Sequence, residues 1–365
     1  MLRTGSKLLT FLILSSLALP AGAAARPPLE PQKQPPAPAP AQPAPAPAEA
    51  VPAQPARPAP IPAQPQPAPI PARPAPAAAL PANVPTGDVQ VLLDRLGFSP
   101  GVVDGKGGRN TTKALAAFQA AHDLPVTGQL DGITWENLTA AGGTRAVAEY
   151  TLTEDDLKGP FVPQIPEDME EKAKLSALGY TSPLEMLAER FHTTPEFLQQ
   201  LNPQATFSNA GERLRVPNVR AVPTQPQKAP QGVRVVVNQN DWSLTVENGD
   251  DLLFYAPVTA GSEHDPLPIG QWKVKGVARN PSFNYNPDLF WDADPEHSKA
   301  KIPAGPNNPV GVVWIDLSKE HYGIHGTPEP RLIGRTTSHG CVRLTNWDAL
   351  TVASFVEPGT PVIFQ

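Results

Sequence analysis

At 365 residues the chain is long enough for two or three domains rather than one. Nearly half of its 49 prolines lie between Pro27 and Pro85, in a stretch with too few large apolar residues to form a core. The net charge of −6, with acids and bases interspersed and no basic stripe, excludes nucleic acid as a partner.

The first element reads as an export signal. Arg3 and Lys7 precede an apolar run from Leu8 to Leu19, and Pro20 to Ala25 offer small residues at the A-x-A spacing. Residues 1–25 are therefore expected to be a signal peptide that is cleaved as the chain reaches the periplasm or cell wall. A membrane anchor is the alternative, but a span needs ~20 apolar residues and this run is shorter. No later stretch is apolar for long enough to span a bilayer, so no membrane span is expected after signal removal. Residues 26–86 repeat Pro-Ala-Pro and Ala-Gln-Pro units. Proline fixes φ, so this segment is read as an extended, disordered spacer.

Three short helices are predicted within residues 87–141. Asp88 to Leu96 carries Val89, Leu92, Leu93 and Leu96 at helical spacing and stops at Gly97. Beyond a glycine-rich turn (Gly101 to Gly108), a second helix is capped by Asn110 and Thr111, with Ala114, Leu115, Phe118 and Ala121 on one face. The third covers Asp131 to Leu138. Gln90, Leu92-Leu93, Leu96-Gly97-Phe98, Val103-Asp104-Gly105, Ala117-Phe118-Gln119 and Thr127-Gly128 together resemble the peptidoglycan-binding module of exported wall enzymes.

Residues 172–220 contain a helix pair, Leu184 to Ala205, broken at Thr193-Thr194-Pro195. Leu201-Asn202-Pro203 and Gly211 to Pro217 resemble the second half of a LysM glycan-binding module, without its opening strand. From 231 to 365 the rhythm is that of strands: Val233 to Val237, Leu244 to Val246, Leu252 to Val258, Gly270 to Val277, Val312 to Leu317 and Val362 to Phe364. Asn248-Gly249-Asp250 marks a hairpin. The expected fold is multidomain: a small all-α module followed by a mostly-β, sandwich- or barrel-like C-terminal domain.

The candidate chemistry is concentrated in Tyr322-Gly323-Ile324-His325-Gly326-Thr327 and Ser338-His339-Gly340-Cys341-Val342-Arg343. Cys341 is the chain's one cysteine and cannot form an internal disulfide. It is a buried apolar group, an intermolecular bridge or a reactive thiol. A nucleophilic thiol needs a base to hold it as thiolate and donors for the oxyanion that attack on a carbonyl creates. A hairpin of this length would bring His325 beside Cys341.

This pattern resembles the catalytic signature of the L,D-transpeptidases, a histidine followed by Ser-His-Gly-Cys. Pro268-Ile269-Gly270, the run Ile302 to Gly311, and Trp314-Ile315-Asp316-Leu317 are similar to that family as well. The resemblance implies Cys341 as nucleophile and His325 as base, with Gly326 supplying the carbonyl that orients the histidine. It implies that His339 shapes the oxyanion region with the backbone near Gly340 and Cys341, that Ser338 and Arg343 buttress the loop, and that Ser338, Gly340, Thr327 and Arg343 contact substrate. The implied reaction is acyl transfer on peptidoglycan stem peptides through a thioester, serving wall biogenesis and cell shape. The acceptor would be a second stem, a wall-anchored lipoprotein or, in a carboxypeptidase, water. No cofactor or metal is implied.

Two other classes remain open at this point. A zinc peptidase or amidase would use His321, His325, His339 and Asp316, and a non-catalytic scaffold would use only the binding modules. His122 and His192 are expected at the surface of the helical modules, and His264 and His297 in polar loops.

Overall fold

The structure, a computed structural model, describes residues 79–223, 225 and 227–365. The signal-like run and residues 26–78 of the spacer lie outside the described residues. Helices α1 (Thr86–Arg95), α2 (Arg109–Ala121) and α3 (Gly132–Gly142) come first. They bury Val89, Leu92, Leu93, Leu115, Phe118 and Leu138 against one another. Two glutamines act as internal clamps. Gln90 donates to Asp104, Thr111 and the Lys106 carbonyl while accepting from the backbone of Asp104 and Gly105. Gln119 holds the turn at Thr127 and Gly128 in the same way. Both side chains are spent on their own fold.

Strand β1 (Val147–Thr151) follows, then α4 (Glu154–Leu157), α5 (Met169–Ala173), α6 (Pro183–Arg190), α7 (Pro195–Leu201) and β2 (Arg213–Pro217). Ser182 and Thr194 cap α6 and α7, and each helix has proline at its start, where a missing N–H costs nothing. β1 pairs antiparallel with β2, from Val147↔Pro217 to Thr151↔Arg213. A strand thus stands ahead of the helix pair, where the sequence reading expects none. It lies well upstream of its helices because residues 153–181 intervene, and its half-exposed residues give little alternation to read.

The C-terminal part comprises β3 (Val233–Asn238), β4 (Ser243–Asn248), β5 (Asp251–Pro257), β6 (Thr259–Ala260), β7 (Gly270–Arg279), β8 (Phe283–Tyr285), β9 (Ala300–Ile302), β10 (Val313–Leu317), β11 (Gly323–His325), β12 (Val342–Arg343), helix α8 (Asn346–Phe355) and β13 (Pro361–Phe364). Nine strands join in the order β5-β4-β3-β13-β7-β10-β11-β12-β6. The long β7 serves both halves: Gly270 to Lys273 pair with β13, and Val274 to Arg279 pair with β10. Val235, Val246 and Phe254 from one half share a core with Ile315, Ile324 and Val342 from the other, and Val352 of α8 joins them. Helix α8 is buried almost all round, so it lacks the one-sided apolar stripe by which a helix is recognised in sequence.

The modules are packed tightly together. Tyr255 of β5 enters the core of the first three helices, and its backbone exchanges hydrogen bonds with Gly97 and Ser99. Asp94 of α1, fully buried, binds His192 Nδ1 at 3.0 Å and pairs with Arg220, which reaches Asp348 of α8 at 2.6 Å. His192 also stacks on Trp347. The expectation of a surface His192 is thus corrected: it is wholly buried, with one ring nitrogen, Nδ1, bound to a carboxylate from another module and one ring face against Trp347. Residues 161–179 dock on the other side, where Met169, Leu175 and Leu178 pack against Phe283, Tyr285, Phe290 and Ile302. Among the described residues no helix is long and apolar enough to cross a membrane.

Candidate active site

Cys341 and His325 are brought together by adjacent strands. β11 and β12 run parallel, with Ile324 opposite Val342 and His325 opposite Arg343. This differs from the hairpin expected from spacing; the intervening loop makes a full crossover. The register places Gly323 and His325 on the same face as Cys341 and Arg343. That face opens into a cavity of about 870 Å³ lined by Cys341, His325, Arg343, His339, Tyr322 and Trp314, among others. Ile324 and Val342 point the opposite way and are fully buried in the core, which anchors the pair.

His325 is buried, with its ring stacked on Trp314. Its Nδ1 lies 2.7 Å from the Gly326 carbonyl oxygen. A carbonyl only accepts, so Nδ1 carries the hydrogen and Nε2 presents a lone pair. Burial, aided by the nearby Arg343 charge, pushes His325 down to about 3, so the ring is neutral. Cys341 is half-buried, and its thiol lies 3.7 Å from the His321 carbonyl. Burial pushes the thiol above the ordinary cysteine value, against the opposing pull of the Gly323 N–H and Arg343. The resting pair is therefore neutral thiol and neutral imidazole, not the thiolate expected from sequence. Desolvation disfavours both charges when no substrate is present.

The other expected residues divide into two groups. His339 and Arg343 line the cavity. His339 Nε2 lies 2.7 Å from Asp292 Oδ1, with Phe290 edge-on to its ring. Ser338, Thr327 and Gly340, expected to contact substrate, do not line it. The buried Ser338 hydroxyl donates to the Cys341 carbonyl at 2.6 Å and accepts from the Gly261 N–H at 2.8 Å, locking the loop to the end of β6. Thr327 is also buried and accepts from the Glu329 N–H. Gly340 has φ of +90°, and a Cβ there would sit 2.6 Å from Tyr322 Cε1.

The four residues of the metal alternative are engaged separately, His321 lying 3.6 Å from Glu320. Asp316 pairs with Lys275 at 3.1 Å, His339 with Asp292, and His325 with the Gly326 carbonyl. Among the described residues, no three His, Cys, Asp or Glu side chains are grouped to hold an ion.

Several contributors were invisible in the sequence. Asp265, Asp292 and the aromatic stretch from Phe283 to Phe290 form part of the cavity, and Glu167, Asp168 and Met169 supply another part from outside the catalytic strands. Asp168 binds His297 at 2.8 Å and Glu170 accepts from the Ser298 N–H, fixing the two segments together. Only the cluster of aromatics between Phe283 and Trp291, in an otherwise polar loop, signals a site.

Comparison with known proteins agrees with this geometry. Residues 232–364 match the family model described as the L,D-transpeptidase catalytic domain, and residues 85–138 match that of a "Putative peptidoglycan binding domain". The chain is 33% identical over 181 residues to the "Putative L,D-transpeptidase YkuD" of Bacillus licheniformis, covering 49% of this chain and 91% of that one. It is 28% identical over 180 residues to its namesake in Bacillus subtilis, with 49% and 91% covered. The "Probable L,D-transpeptidase YbiS" of Escherichia coli is 29% identical over 193 residues, covering 51% and 61%. These matches are longer than the catalytic model and so reach back before residue 232. With Cys341 and His325 both inside the catalytic-domain match and 91% of the Bacillus licheniformis relative covered at 33% identity, the chain belongs to the L,D-transpeptidase family.

Proposed function

We propose that the protein is an exported L,D-transpeptidase that acts on peptidoglycan stem peptides through a Cys341 thioester. The Cys341 sulfur attacks the carbonyl carbon of the third stem residue, and its proton passes to His325 Nε2. The tetrahedral intermediate collapses, the bond to the terminal D-Ala breaks, and the proton on His325 goes to the departing amine. An amine of a second stem or of an anchored protein then attacks the thioester carbonyl, returns the thiol and leaves a new amide. Water in that role would give a tripeptide. The observation that carries this reading is the commitment of His325 Nδ1 to Gly326, which leaves Nε2 as the basic atom in the cavity that holds Cys341.

Roles for the remaining residues follow from their contacts. Arg343 and His339 face the substrate, while Ser338, Gly340 and Thr327 hold the loop that presents the sulfur. The helical modules hold the enzyme on the wall and so raise local substrate concentration rather than add chemistry. The β1-α6-α7-β2 unit is read as a LysM-like glycan binder carrying an insertion, and residues 1–86 as leader and spacer. Incubating the purified chain with muropeptides and resolving the products by mass spectrometry tests the reading. A 3→3 cross-link, a protein-linked stem or a tripeptide that depends on Cys341 supports it. Unchanged muropeptides with a reduced, folded enzyme would sink it.

A further inference from the structure

Helix α6 belongs to the helix-pair unit and lies outside residues 232–364, yet its Glu189 contacts Asn346 at the start of α8, inside them. The Glu189 carboxylate accepts from Asn346 Nδ2 at 2.9 Å through one oxygen and from the Tyr180 hydroxyl at 2.8 Å through the other. Asn346 is almost wholly buried at the start of α8. Its Oδ1 accepts from the Val312 N–H at 3.2 Å, and its Nδ2 also donates to the Pro306 carbonyl at 3.2 Å. The same Oδ1 lies against Gly311 and Gly326, so closely that a Cβ on either glycine would overlap it. Gly326 is the residue whose carbonyl holds His325 Nδ1.

An asparagine amide has two faces of nearly equal shape and opposite polarity, and its partners decide which way it turns. Glu189 can only accept when ionised and so draws Nδ2 toward α6. That turns Oδ1 toward Val312 and the Gly311–Gly326 contact. With the amide reversed, an NH₂ group would face the Val312 N–H, and the Gly326 peptide would have to move. We infer that Glu189 is a positioning residue for His325, acting through Asn346 and Gly326; the inference rests on the reading of His325 as the base. A segment outside the catalytic sheet thereby sets the tautomer and aim of the catalytic ring. Burial pushes the Glu189 carboxyl up to about 7, so its neutral form, which glutamine imitates, is populated near neutrality.

The test uses the full chain and measures D-Ala release from a disaccharide-tetrapeptide donor, with kcat and KM separated and melting followed in parallel. Glu189→Ala is expected to lower kcat about tenfold or more, with KM for the donor unchanged, because a displacement of about 1 Å near a reacting group has effects of this order. Glu189→Gln is expected to restore kcat, since its amide oxygen can take Asn346 and its nitrogen can donate to the Tyr180 oxygen. A purely structural role would shift melting while leaving kcat of the folded enzyme untouched. Wild-type kcat in Glu189→Ala, or a loss that glutamine does not restore, overturns the inference. If Glu189→Ala does not fold, Glu189→Leu, which refills the volume without an acceptor, serves as the same arm. His325→Ala separates the two levels. If it retains full turnover, the base assignment fails; if it is inactive while Glu189→Ala is fully active, only the positioning role fails.

Discussion

The neutrality of the resting Cys341–His325 pair has a direct kinetic signature. Only the thiolate is alkylated, and burial holds the thiol above its ordinary value. Iodoacetamide modification of the substrate-free enzyme is expected to climb with pH and show no plateau below the normal thiol range. A plateau at acidic pH would mean a resting thiolate–imidazolium pair and would reverse this description. His325→Ala should cut turnover by roughly 10²–10⁴-fold, the span typical of a positioned base, yet change resting alkylation little. Stability responds to the same group. Folded His325 stays neutral down to about 3, whereas the unfolded ring takes a proton near 6.5. Its contribution is therefore complete above 6.5 and is lost as pH falls toward 3. Between about pH 6.5 and pH 5 the wild type should lose about 2 kcal/mol relative to His325→Gln, read from urea unfolding at each pH.

At the scale of elements, the site depends on two very short strands and the loop between them. Gly340 sits in the left-handed region with Tyr322 where a side chain would go. Gly340→Ala should cost about 1–3 kcal/mol and displace Cys341, lowering D-Ala release together with melting temperature. An unchanged variant would mean that this loop tolerates a shift. Cys341, His325, Arg343 and the main strands were legible in the sequence because motif, alternation and turn residues are local signals. The resemblance also implied that Ser338 buttresses its loop, as its two hydrogen bonds do, but the direction of the Thr327 hydroxyl was not legible, since spacing in an irregular loop does not set the direction of a side chain. Asp292, Asn346 and Glu189 come from segments remote in sequence, and local patterning carries nothing about them. Helix α8 and strand β1 escaped for opposite reasons, one apolar on every side and the other barely apolar at all.

Across the whole molecule, the buried ion cluster ties three parts of the chain to one point. Burial alone would raise Asp94, but Arg220 and His192 outweigh it and hold the carboxyl at about 2. Asp94→Ala would leave a buried guanidinium half-paired and His192 without its acceptor. A loss of about 3–5 kcal/mol is expected, as for other buried pairs stripped of one member, measured by urea unfolding at neutral pH. A loss near zero would mean that the modules are joined by apolar contact alone.

The docking of residues 161–179 on β8 and β9 bears on how such a chain can change over time. Its groove is closed in part by Glu167 to Met169, and its catalytic ring is steadied from α6, so neither belongs to the segment that the catalytic model covers. Moving residues 231–365 onto another wall-binding carrier would leave an open flank at the groove and a loose Asn346. Substitutions in the helical unit are accordingly constrained by the groove and by Asn346 as well as by the unit's own packing.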